Sequence, residues 1–151
     1  METNSNHNTA ALLHLSMLSQ YMIPFGNIIF PAIIWSSTKD RSEYINQQGK
    51  QAINFQLSLF LYALILCLVA VPVVFVTVLK NVSFYQMTND HDWVFENFNI
   101  SELSTALWFA ITAFIFIIML KVAEFFLIIY AAVKTSNGDN FQYPLTIPFI
   151  K

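Results

Sequence analysis

The chain has 151 residues, of which 56% are hydrophobic, 16% aromatic and 11% charged, and its net charge is −2. Soluble domains carry about 25% charged residues, so this chain has too few to cover a water-soluble globule. The composition also excludes a disordered chain, a collagen-like chain and a nucleic-acid-binding domain, which would need clustered Lys and Arg. What remains is an integral membrane protein whose first partner is the lipid bilayer.

Residues 1–9 are polar and lack Lys and Arg. No cleavable signal is expected, because the basic leading region is missing. The first hydrophobic segment, residues 10–35, has no Asp, Glu, Lys or Arg. It is interrupted by Ile23-Pro24-Phe25-Gly26-Asn27 and again by Pro31. Proline lacks an N–H and clashes with the carbonyl four residues back, and Gly and Asn tolerate turn conformations. At about 1.5 Å per helical residue the stretch is too short for two spans. It is expected to be either one kinked helix or a broken, re-entrant pair of half-helices, the broken form being favoured. A polar loop, residues 36–50, follows.

The second segment, residues 51–79, also lacks charge, and a bilayer core needs roughly 20 apolar helical residues. Gln51, Asn54 and Ser58 share one helix face by their spacing, while Gln56 points elsewhere. Pro72 should kink this helix. Cys67 lies in an apolar run with no partner for a disulfide or metal, so it reads as a small hydrophobe. A second polar loop, residues 80–102, carries Asp90, Asp92, Glu96 and Glu102 against Lys80 alone. Its Asp90-His91-Asp92 triplet is too weak a pattern for a metal site, and acidic and aromatic residues interleaved at the edge of a span mark the membrane interface.

The third segment, residues 103–133, is apolar except for Lys121 and Glu124. Three apart, they meet on one helix face. The 14 Ile, Leu, Val and Phe residues of 109–129 contribute about −6 kcal/mol to insertion, and two central charges cost about as much. The helix therefore inserts comfortably only if the two charges pair, turn to a protein or water interior, or sit off-centre. An ionisable residue within a span is a functional candidate, although a structural ion pair is the plainer reading. The segment ends at Lys134-Thr-Ser-Asn137-Gly138, a helix stop. The tail, residues 134–151, cannot be helical across Pro144 and Pro148.

Lys39, Arg41 and Lys50 in the first loop, with Lys134 and Lys151 in the tail, outnumber the basic residues of the second loop. By the positive-inside rule the first loop and the C-terminus are cytoplasmic. The fold class expected is all-α and polytopic: one membrane domain spanning residues 1–151, with a broken or re-entrant first segment and two transmembrane helices. His14, Gln51, Asn54, Gln56, Ser58, Lys121 and Glu124 form its polar intramembrane face. Amides and hydroxyls in such places act as glue between helices. No nucleophile elbow, P-loop, zinc-protease or dinucleotide motif occurs, so no enzyme, cofactor or metal is expected.

Two stretches carry a resemblance. Gly49-Lys50-Gln51-Ala52-Ile53-Asn54-Phe55-Gln56-Leu57-Ser58 and Tyr143-Pro144-Leu145-Thr146-Ile147, with the Asn137-Gly138 stop and the Pro24 break, resemble a small bacterial membrane-protein family of unknown function. That family is grouped with the chloroplast inner-envelope protein-import (Tic) channel subunit. The resemblance implies a bacterial inner (plasma) membrane and a cytoplasmic motif at Tyr143, Pro144 and Thr146. It offers protein translocation only by analogy, and analogy of fold is weak warrant for function. The leading expectation is a non-enzymatic subunit or scaffold that binds another membrane protein, or itself, and no nucleic acid. The alternative is an oligomeric channel, transporter or translocation component lined by Asn54, Gln56, Lys121 and Glu124.

Overall fold

The computed structural model describes the backbone of residues 2–81 and 100–151, and the side chains of residues 4–76 and 107–151. Asp90-His91-Asp92 and the body of the acidic loop lie outside the described residues. Among the described residues, every regular element is helical. In chain order they are α1 (Glu2–Ser16), a 3₁₀ turn (Met17–Tyr21), α2 (Gly26–Thr38), a second 3₁₀ turn (Lys39–Arg41), α3 (Glu43–Asn81) and α4 (Ile100–Ser136). The chain divides into two compact units, Met1–Leu61 with Leu120–Lys151, and Tyr62–Met119.

The first hydrophobic segment is broken at the expected place. The Met22 and Ile23 N–H groups both donate to the Ser19 carbonyl, and the Gly26 N–H donates to Ile23 across the Pro24 turn. Phe25 takes the left-handed conformation, φ 61°, and α2 begins from its carbonyl. α2 then packs back on α1 and on the 3₁₀ turn. Pro31 does not interrupt α2, because the bond it forfeits lies near the start of the helix.

The expected polar loop at 36–50 is almost wholly helical. Ser42 is extended, and its hydroxyl accepts the Tyr44 N–H at 3.2 Å. This satisfies one of the unpaired donors at the start of α3. Glu43 in the first turn complements the helix dipole. Polar residues alone do not stop a helix, and this stretch lacks proline. Gly49 admits the Trp35 ring so closely that a Cβ there would collide with it. Trp35 in turn donates its indole N–H to Asn46. α3 continues through Pro72 as one helix.

α4 stops as expected. The Gly138 N–H reaches the Thr135 carbonyl and the Asp139 N–H reaches Lys134, with Gly138 at φ 88°. That is a Schellman closure, which favours glycine at the left-handed position. The Tyr44 hydroxyl is shared between the Thr135 and Asp139 carbonyls at 3.0 and 2.9 Å. Beyond it the tail is irregular.

The core of the first unit is Met17, Ala52, Phe55, Ile128, Ala131, Phe141 and Tyr143. Phe55 stacks on Tyr143 with centroids 4.0 Å apart, and Phe141 meets Tyr143 edge-on. The second unit buries little. Leu68 is 65% exposed, Phe75 60% and Phe114 63%, and an apolar groove of about 470 Å³ runs past Ala70, Val74, Ala110 and Ala113. Two helices, Glu43–Val76 and Leu107–Ser136, are long and apolar enough to cross a membrane. Only 0% and 11% of their most apolar windows are buried. A surface this apolar needs lipid or another protein against it.

Candidate functional site

The polar residues of the first unit form two connected groups. The first surrounds Glu124. Its side chain is 1% exposed, and Lys121 Nζ donates to Oε2 at 2.8 Å. Gln20 and Gln56 each donate an amide N–H to Oε1 at 2.9 Å. Gln20 closes the ring by accepting from Lys121 Nζ at 2.8 Å. Gln56 accepts from Asn27 Nδ2 at 2.6 Å. A buried carboxylate is tolerable when it is paired and its lone pairs are taken up. Here the 3₁₀ turn supplies Gln20, α2 Asn27, α3 Gln56 and α4 both Lys121 and Glu124, so the network ties four elements together.

The second group fastens the tail. Asn54 donates to the Ile150 carbonyl at 2.9 Å and accepts the Ile150 N–H at 2.8 Å. One helix side chain thereby pairs with tail backbone much as a neighbouring strand would. The Ser58 hydroxyl accepts the Ile147 N–H at 2.8 Å and donates to the Asn54 carbonyl at 2.7 Å. Gln48 brackets Phe141: with its amide oxygen assigned toward the Phe141 N–H, it accepts that group at 3.3 Å, donates to the Phe141 carbonyl at 3.3 Å and donates to His14 Nε2 at 3.2 Å. The neutral imidazole then carries its proton on Nδ1, 2.8 Å from the Tyr143 oxygen.

His14 and Tyr143 lie outside both candidate spans. Burial holds the His14 imidazole down to a pKa of about 4. Tyr143 is pushed well above its ordinary value, by burial first and then by the charge of Glu124. Both therefore stay neutral across the physiological range.

The expected face of Gln51, Asn54 and Ser58 meets the tail. Gln56, turned away from it, reaches Glu124. Gln51 is half-buried and lines a cleft between α3 and the tail. Pro144 is exposed at a turn whose next residue, Leu145, has φ 58°. Thr146 Oγ1 is buried without a hydrogen-bond partner among the described residues. The two motifs that carried the resemblance, Asn-Phe-Gln and Tyr-Pro-Leu-Thr-Ile, are thus two halves of one joint. Gln20, Asn27 and Gln48 complete the network and were not among the expected site residues. Gln48 sat in what read as a loop, and Gln20 and Asn27 flank the break. Their only signal was an amide close to an apolar segment.

Every polar group around Glu124 finds its partner within the unit, and no cluster of three or more His, Cys, Asp or Glu occurs among the described residues. The arrangement is chemically suited to holding elements in place. The chain belongs to the MamF/MmsF family, the magnetosome magnetite crystal formation protein family, whose model matches residues 5–150. This overturns the expected grouping with the Tic-related family. The motifs behind that expectation pin a tail to a helix, and a folding joint carries no information about what a membrane protein does. No curated protein and no solved structure matches the chain.

Proposed function

Starting from that family, we propose that the protein is a non-enzymatic, multi-pass subunit of the magnetosome membrane that holds an acidic loop against the growing crystal. The observation that carries the reading is the outward apolar surface of the two long helices, of whose most apolar windows 0% and 11% are buried. Such helices anchor whatever lies between them. What lies between them in sequence is the stretch with four carboxylates and one lysine. Carboxylates are hard oxygen ligands suited to hard metal cations. The positive-inside rule puts this loop on the face opposite the first loop and the tail, which it assigns to the cytoplasm.

The scaffold reading is favoured over conduction by the Glu124 network. Lys121, Glu124, Gln56 and Gln20 satisfy one another, and Asn54 is occupied by the tail, so none of them is left to line a path for a polar solute. The test is the combined variant Asp90→Asn, Asp92→Asn and Glu96→Gln, expressed in place of the parent in a magnetite-forming cell. Unchanged membrane targeting with altered crystal dimensions by electron microscopy supports the proposal. Crystals identical to those of the parent would refute it. Purification in mild detergent, with identification of co-purifying proteins, tests the scaffold: a defined partner supports it, while a pure homo-oligomer favours the conducting alternative and a lone monomer counts against both.

A further inference from the structure

We propose that the cleft between the start of α3 and the tail binds a phosphate group. The cleft holds about 350 Å³ and is lined by Lys50, Gln51 and Gln142 among others, with no carboxylate in its wall. Lys50 and Gln51 are half-buried. The side chains of Lys50, Gln51 and Gln142 have no hydrogen bond or ion pair with other described residues, in contrast to the neighbouring Gln48 and Asn54, whose amides hold the Phe141 and Ile150 backbones. The nearby Glu43 is occupied by the side chains of Asn46 and Gln47.

An ammonium and amide donors converging from two walls suit an anion whose oxygens point in several directions. A tetrahedral phosphate does this better than a planar carboxylate. One wall is the third turn of α3, and the other is the tail, held in place by Asn54 and Gln48. The site therefore exists only while the tail is docked. Phosphate could arrive as a lipid headgroup or as the free ion. The headgroup is favoured by Pro148 and Ile150 in the wall and by Phe149 between them, 48% exposed. These give acyl chains an apolar flank beside a basic pocket, the arrangement by which membrane proteins hold anionic headgroups.

The full chain, purified in a neutral detergent, is titrated with phosphatidylglycerol in mixed micelles, with phosphatidylcholine, and separately with inorganic phosphate. Binding is read by native mass spectrometry and calorimetry. Saturable phosphatidylglycerol binding, weakened about tenfold by Lys50→Gln, retained by Lys50→Arg and untouched by Arg41→Gln, establishes a headgroup site. The same pattern with inorganic phosphate alone establishes a site for the free ion. Tail release by Asn54→Ala should lower the affinity in either case. If neither ligand binds saturably, or if Lys50→Gln binds as the parent does while remaining folded by circular dichroism, the proposal is overturned.

Discussion

Glu124→Leu removes one carboxylate and leaves three donors without their acceptor. The Lys121 arm is worth no more than about 1 kcal/mol, since that side chain is 51% exposed. The amide arms count for more. Gln56 is 1% exposed, and an orphaned buried donor costs about 1–3 kcal/mol. Gln20 is only partly buried and adds about 1 kcal/mol. The expected loss is about 3–5 kcal/mol, the range found when one partner of a buried charged pair is removed. Lys121→Met, which leaves the carboxylate its two amide donors, should cost no more than about 1 kcal/mol. The double variant Lys121→Met with Glu124→Leu removes both charges and orphans the same amides, so it should cost less than the two singles together, with a coupling of about 1 kcal/mol. Reversible unfolding of the full chain in mixed micelles, followed by circular dichroism and tryptophan fluorescence, measures all three. A Glu124→Leu variant within about 0.5 kcal/mol of the parent, or a double variant that is simply additive, would show that the network does not hold the elements together.

Asn54→Ala loses both bonds to the Ile150 backbone and should cost about 1–3 kcal/mol; limited proteolysis should then cut within residues 143–151 under conditions that spare the parent. His14, held at about 4 against an ordinary 6.5, contributes stability that is complete above pH 6.5. As pH falls from there through 4 the unfolded chain takes up the proton first, so stability drops by about 3 kcal/mol in total. Thermal melts between pH 7.5 and 4 should show that decline in the parent and a shallower one in His14→Gln. Cys67 is exposed on the second unit, so a membrane-impermeant maleimide should leave it unlabelled in sealed vesicles and label it after solubilisation in denaturant. Rapid labelling in intact vesicles would refute a lipid-facing position.

The composition and the run lengths were enough to read an all-helical chain, its long apolar helices, the break at Pro24 and the stop at Gly138. Each of these depends on residues close together in sequence: a missing N–H, a left-handed turn, a count of apolar side chains. Even so, polarity alone predicts a loop over residues 36–50, where Ser42 caps the start of α3. The ion pair of Lys121 with Glu124 was legible from their spacing. Its setting was not, since Gln20 and Gln56 are brought to Glu124 from far along the chain. The same holds for the tail: by sequence Asn54 and Ser58 face a membrane interior or a partner and Gln48 falls in a polar loop, and only packing reveals that their partner is the backbone of residues 141–150. Amides are donors and acceptors at once, so the sequence leaves their partners open. The family, too, lay beyond motifs whose physical task is to close the fold.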